Sequence, residues 1–241
     1  MHYSLITNLI NFLFIFYLSI NSVLSKNIEN ELIADQLEKS LNNNNNNSIK
    51  ELFLKSSYDN FKNKYINFTK DYRDAKWSIQ VIRNQKDKKY LDIGIKAKRN
   101  LGNQIYDLVS KQIVELSTYK NKIQHYKVLK EESILKSNKN PLKIKINSPD
   151  RVLTGERYQI DLIIEKPLDN SLIAGGMVVI QNNKSETISQ NYFGIKPTGS
   201  GGLFKYIQAP LKPGYQNISA VIAHPEGIYS ITKKVEIISQ F

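Results

Sequence analysis

The residues best suited to chemistry in this chain are its histidines and one glycine-flanked serine. His125 and His224 each lack an acidic or histidine neighbour at the spacing that metal ligands need, and His2 lies in the apolar start of the chain. Ser200 sits among glycines, but a nucleophilic serine in that setting requires a buried strand before it and a helix after it. The chain has no cysteine, which removes thiolate metal sites and disulfides. We therefore predict no catalytic residue, no metal ligand and no cofactor.

Charge is the stronger functional signal. The 34 Lys and Arg residues exceed the 22 Asp and Glu residues, so the net charge is +12. The excess is uneven, because residues 26–141 carry 23 basic and 14 acidic side chains, whereas residues 142–241 carry 11 and 8. A strong positive field favours contact with anionic surfaces. We predict a partner that is an anionic envelope component or a protein, with peripheral membrane contact as a further option and nucleic acid excluded. Binding residues and oligomeric state stay undetermined.

The chain begins with an apolar segment that resembles a targeting signal in length and composition. Leu9 to Ile20 is about as long as a signal-peptide core and too short for a comfortable membrane span. Small residues follow up to Ser25, so residues 1–25 are predicted to be a signal peptide and the mature chain to begin at Lys26. The alternative is a retained anchor over residues 5–24. Either interpretation predicts export, to the periplasm or the extracellular space.

The elements that follow predict an α+β domain over residues 26–140. Apolar residues recur at helical spacing in two segments, before and after an asparagine-rich loop at residues 42–47, with Ser48 capping the second helix. An aromatic stripe, typical of a helix packed on a core, comprises Tyr58, Phe61, Tyr65, Phe68 and Tyr72. From Trp77 the apolar period changes to two, which predicts four antiparallel strands over residues 77–81, 91–97, 105–116 and 123–135. Helices followed by such a meander indicate helices packed on a curved antiparallel sheet.

The rest of the chain predicts an all-β domain over residues 141–241. A polar stretch from Ser137 to Pro141 separates two differently patterned regions and suggests a boundary. Beyond it, six or seven short alternating segments are divided by turn residues, among them a hairpin loop at residues 199–202. This spacing is typical of an immunoglobulin-like β-sandwich.

Two resemblances accompany these patterns. The order of elements, with the segments Tyr72 to Ile79, Tyr90 to Arg99 and Ile105 to Leu116, resembles the cone-shaped nuclear-transport-factor-like fold, which ketosteroid isomerases share; a cystatin-like domain is the nearest rival. The residues from Leu211 to Gly227 resemble the turn and penultimate strand of immunoglobulin-like and fibronectin type III domains. These resemblances concern architecture and carry no diagnostic motif.

Each resemblance implies particular residue roles. In an isomerase of the cone fold an Asp base and a Tyr donor face a pocket, which here would draw on Asp92, Tyr106 and Asp107. In the sandwich, Tyr215 would be the corner tyrosine whose hydroxyl bonds back to the chain. Trp77 is a structural candidate at the start of the meander. The leading prediction is an exported, non-enzymatic binding or assembly module of the cell envelope. The alternative is a small-molecule carrier or ketosteroid-isomerase-like enzyme with a pocket in the first domain.

Overall fold

The computed structural model describes residues 32–82, 89–137, 142–165, 172–181, 194–198, 201–225 and 227–240 of the 241-residue chain. The predicted leader, Ser200 and most of the predicted boundary stretch lie outside these ranges. Three helices come first in the described chain, and none of them is long and apolar enough to cross a membrane. They are α1 (32–42), α2 (Asn46–Glu51) and α3 (Lys55–Asp71).

Strands make up most of the described residues. The strands of the first half are β1 (Lys76–Ile82), β2 (Lys89–Leu101), β3 (Gln104–Tyr119) and β4 (Lys122–Ser137). Those of the second half are β5 (Ile144–Asn147), β6 (Arg151–Leu153), β7 (Arg157–Ile164), β8 (Ile173–Gln181), β9 (Lys196–Thr198), β10 (Gly202–Gln208), β11 (Gly214–His224) and β12 (Gly227–Ile238). The four-strand meander predicted for the first half is present.

One large, mainly antiparallel sheet runs through both halves of the chain. Its strand order is β1-β2-β3-β4-β12-β11-β8-β9, and β6 pairs in parallel with β12 as the ninth strand. The halves join where Tyr229 to Lys234 of β12 pair with residues 131–136 of β4. The predicted fold class, an α+β domain followed by an all-β immunoglobulin-like sandwich, is therefore wrong. Strands assigned to the sandwich instead extend the sheet of the first half.

The two halves of this sheet are covered on opposite sides. In β1 to β4 the buried side chains, such as Ile79, Ile93 and Ile95, belong to one core with the helices, and we call this the helix side of the sheet. Register places Ser133 and its partner Thr232 on the helix side as well, so the buried residues of β12 point to the far side. There a second sheet, in the order β10-β7-β5, covers them. Ile134 of β4 packs against this second core, whereas toward the turn between β2 and β3 the far side of β1 to β4 carries exposed side chains.

Helix α1 protects the outer edge of β1. The Asn42 side chain accepts a hydrogen bond from the backbone N–H of Trp77 at 2.8 Å and donates one to its carbonyl at 2.9 Å. Two residues further on, the backbone N–H of Ile79 donates to the Glu38 carboxylate at 2.7 Å. Unpaired edge groups otherwise attract strands of other chains. These side chains therefore end the sheet at β1.

The asparagine run is more ordered than a loop. Asn42 ends α1, and Asn46 and Asn47 already belong to α2. The side chain of Asn45 accepts a hydrogen bond from the backbone N–H of Ser48 at 3.1 Å, which makes Asn45 the N-cap in place of the predicted Ser48. Short polar side chains that accept backbone N–H bonds are favoured at this position.

The aromatic stripe of α3 packs on the sheet, as a core helix should. Phe61 stacks on Phe53 with ring centroids 4.9 Å apart and on Tyr65 at 5.6 Å. Phe68 meets the Trp77 ring edge-on at 5.6 Å, so Trp77 belongs to this core. Such ring pairs add to the area term of burial. Packed side chains thus occupy the space between the helices and the sheet.

The second core contains one buried polar pair. Burial raises the pKa of Tyr158 to about 12, which keeps its hydroxyl protonated at neutral pH. That hydroxyl donates to the Gln216 side-chain oxygen at 2.9 Å, and the Gln216 amide donates to the Gln208 carbonyl at 3.2 Å. The pair bonds β7 of the small sheet to β11 of the large one. It fixes how the two layers of the second half sit together, because buried polar groups need their partners.

Candidate functional site

Four exposed lysines lie together on the far side of the first-half sheet. Strand register places Lys76 of β1 directly opposite Lys96 of β2. Lys98 and Lys136 flank Asp107 of β3 in the same way, one on each side. All four lysines are exposed, and they occupy the end of the sheet nearest the turn between β2 and β3. We call these four residues the lysine patch.

The lysine patch is poorly neutralised. Like charges placed directly opposite on neighbouring strands repel each other, and Lys76 and Lys96 have this arrangement. Neither of them forms an ion pair with any described residue. Asp107 is the acidic residue among them, and its carboxylate is 4.0 Å from the Lys98 amine, a distance at which an exposed pair contributes little. Positive charge is therefore in excess at this end of the sheet.

Two exposed apolar side chains lie on the same side of the sheet as these lysines. Val109 is the β3 partner of Lys96, and Ile105 pairs with Asn100, four residues further along β2. Each is 40% exposed. An exposed aliphatic side chain alone is ordinary, but here two of them lie next to exposed lysines on one sheet surface. The patch therefore presents both charge and apolar area to the same partner.

A second cluster of charges joins the two halves of the chain. Lys233 is only 8% exposed, and its amine lies 3.1 Å from Asp150 and 3.3 Å from Glu132. The Asp150 carboxylate also pairs with the Lys130 amine, which lies 2.5 Å away. Burial works against ionisation of Asp150, but hydrogen bonds from both lysines hold the pKa of its carboxyl below the ordinary value. This cluster bridges β4, β12 and the loop before β6, and its role is structural.

A third feature is a cleft where β4 and β12 separate. Beyond Lys234, β12 pairs with β6 and no longer with β4, which leaves a space of about 480 Å³. Its lining includes Lys127, Tyr215 and Glu236. The Lys234 amine lies 3.8 Å from the Tyr215 ring centroid and donates to the Val128 carbonyl. We call this space the junction cleft.

The residues implied by the isomerase resemblance do not converge. Asp92 is exposed on the far side of the sheet, and Asp107 lies on that side as part of the lysine patch. Tyr106 falls on the helix side, where its hydroxyl donates to Gln104 at 3.0 Å. A base and a donor on opposite sides of one sheet cannot meet one substrate.

The structure also locates the histidines and Tyr215, the remaining residues considered from the sequence. His125 is exposed on β4, and His224 ends β11. No group of three or more His, Asp and Glu side chains suited to a metal ion occurs within the described residues. Tyr215 does not make the bond expected of a corner tyrosine, since its buried hydroxyl has no hydrogen-bond partner in the described part of the chain.

Sequence reasoning missed both the lysine patch and the junction cleft. Lys76 and Lys136 are 60 positions apart in the chain but lie three strands apart in one sheet, and only register shows that they share a side. The alternation in residues 91–97 did place Lys96 on the polar side of its strand. That signal identifies one of the four lysines of the patch.

The fold and site define a β-rich chain with a basic sheet surface. Residues 139–238 are similar to a family described as a domain of unknown function (DUF8623). That match begins close to the boundary predicted near Pro141 and includes β5 to β12. A comparison with curated proteins gives no match.

Proposed function

We propose that this chain is an exported, non-enzymatic binding module of the cell envelope, and that its lysine patch contacts an anionic lipid surface. The observation that carries the proposal is the cross-strand pair Lys76 and Lys96, two exposed like charges without an ion-pair partner in the described chain. Such a pair destabilises the free protein slightly. An anionic surface relieves this repulsion.

Lipid is favoured over other anionic partners by the composition of the patch. A lysine close to an anionic membrane contributes about 1 kcal/mol to binding. Val109 lies beside Lys96 and Ile105 at the edge of the patch, and their exposed area gains further free energy on contact with the acyl boundary. A purely polar polymer would make no use of these side chains.

The test is sedimentation of the full chain with vesicles of equimolar phosphatidylglycerol and phosphatidylcholine. Wild-type protein should bind these vesicles and not vesicles of phosphatidylcholine alone. Binding should weaken as salt shortens the screening length from about 10 Å at 0.1 M. Replacing Lys76, Lys96, Lys98 and Lys136 together by Gln should lower the partition coefficient by about a thousandfold, because four contributions of about 1 kcal/mol are removed.

A charge-matched control separates the patch from the net charge of the protein. Lys39, Lys50, Lys62 and Lys70 are exposed on the helices, and replacing them by Gln removes the same number of charges. This variant should keep most of the vesicle binding. Equal losses in both variants would refute a role for the patch, and salt-independent retention on vesicles would refute the electrostatic mechanism. If the chain binds a protein partner and does not bind vesicles, the lysine patch contacts a protein and the lipid proposal is wrong.

A further inference from the structure

We propose that the junction cleft is a second binding site, independent of the lysine patch, and that it binds the oxyanion of a small carboxylate or phosphate ligand at Tyr215. The first observation is the Tyr215 hydroxyl, which is buried and has no hydrogen-bond partner among the described residues. A buried polar group left unpaired lowers stability. A ligand oxygen in the cleft would remove that penalty.

Two ammonium groups lie beside the Tyr215 ring. The amines of Lys127 and Lys234 lie 5.1 and 3.8 Å from the Tyr215 ring centroid. An ammonium group has no acceptor, so neither lysine is able to take the hydroxyl proton. Glu236, the register partner of Tyr215 on β12, is paired with Arg151 at 2.8 Å. The cleft therefore needs acceptor atoms from a ligand.

The electrostatics of the cleft also favour an anion. The Tyr215 hydroxyl raises the pKa of Lys127, so this lysine stays charged, although the geometry of the two groups is not that of a hydrogen bond. Burial lowers the pKa of Lys234, and the positive charges of Lys127 and Lys64 act in the same direction, whereas Glu131 and Glu236 act against them. A negatively charged ligand group beside the Lys234 amine would offset the effects of burial and of the two lysines. Cations close to a planar ring and a hydroxyl donor together suit a carboxylate or phosphate.

The size of the cleft limits the ligand. Its volume of about 480 Å³ lies in the range of small-molecule sites. The turn from Pro213 to Gly214 and the last described residues, Ser239 and Gln240, form its rim. A small organic acid or phosphate ester fits this space, whereas a folded partner does not enter it.

The test measures thermal unfolding and calorimetric binding of the full chain with inorganic phosphate and with acetate, at ionic strength held constant with chloride. We expect a saturable rise in Tm with at least one of them; phosphate alone would assign a phosphate ligand and acetate alone a carboxylate. Tyr215→Phe should weaken that binding about tenfold or more, since it removes a hydrogen bond to a charged acceptor. Lys127→Gln should weaken it as well. No saturable response to either anion would overturn the proposal.

The matched control is Tyr206→Phe, at an exposed tyrosine that also lies beside a cation, Arg157, at 4.8 Å. This variant should bind the anion like the wild type. Without anion, Tyr215→Phe should be at least as stable as the wild type, because it deletes an unpaired buried hydroxyl. A clear loss of stability in Tyr215→Phe, or equal anion responses in the two variants, would assign the hydroxyl a structural role and overturn the proposal. Vesicle binding should be unaffected in both, which separates this result from the function proposed for the lysine patch.

Discussion

Gly202→Ala should destabilise the protein by about 4 kcal/mol or more, the range reached only when a substitution forces backbone apart. Gly202 begins β10 with φ of 127°, a conformation that side chains rarely adopt. A methyl group built there would lie 1.8 Å from the Leu162 carbonyl oxygen. That oxygen belongs to β7, which pairs with β10. The two strands therefore cannot move apart to make space for the methyl group without breaking their hydrogen bonds.

The matched control for this variant is Gly102→Ala. Gly102 also has a positive φ, 59°, but no atom lies within 4 Å of the added carbon. Its substitution should cost about 1 kcal/mol, which is the backbone strain alone. Urea unfolding of both variants measures the difference. Similar losses in the two would show that β10 does not approach β7 as closely as described.

Lys233→Met should cost about 1–2 kcal/mol, because it leaves the partly exposed carboxylates of Glu132 and Asp150 without the buried amine between them, while Asp150 keeps its pair with Lys130. Methionine replaces most of the alkyl part of the lysine side chain, so packing changes little. Lys98→Met is the control, since Lys98 is exposed and its amine lies 4.0 Å from Asp107. It should cost less than about 0.5 kcal/mol. Equal losses would contradict the bridging role assigned to Lys233.

The pH dependence of stability gives this second prediction a further readout. The pKa of Asp150 is lower in the folded protein than its ordinary value, so its ion pairs contribute full stability above about pH 4. That contribution is lost as the pH falls through the lowered pKa. In Lys233→Met one of the two hydrogen bonds that lower this pKa is absent. The part of the acid destabilisation that depends on Asp150 should therefore be smaller than in the wild type.

The positions of most strands follow from sequence alternation, but their arrangement does not. The pattern in residues 158–164 places a strand at β7, and its alternating residues Tyr158, Ile160, Leu162 and Ile164 do point into a core. Alternation of apolar residues indicates which side of a strand is buried, but it does not indicate which other strands pair with that strand. Ser133 and Thr232 are partners across 99 positions of chain. No local pattern in the sequence therefore indicates that one sheet continues through both halves of the chain. The prediction of a separate sandwich was wrong for this reason.

The positions of the candidate sites could not be predicted from the sequence for a related reason. The charge difference between the halves pointed to a basic surface in the first half, where the lysine patch lies. Tyr215 was singled out for an architectural role, while its proximity to Lys127 and Lys234 depends on the separation of β4 from β12. Lys233 stands at an inward position of an apolar strand, and its two carboxylate partners come from distant segments. Each of these arrangements arises from tertiary contacts.

The junction cleft and the continuity of the sheet both depend on the pairing of β4 with β12, and disulfide crosslinking tests that pairing most directly. Ser133 and Thr232 are register partners there, and partner Cα atoms in antiparallel strands lie about 4.5–5.5 Å apart, within reach of a disulfide. Ser110 is the partner of Ser133 on the other side, which places it two strands, about 10 Å, from Thr232 and out of reach. The natural chain has no cysteine, so each double variant has one bond to form. Mild oxidation of Ser133→Cys with Thr232→Cys should link most molecules internally, and Ser110→Cys with Thr232→Cys should not. Absence of the first crosslink, or equal yields of the two, would contradict a continuous sheet.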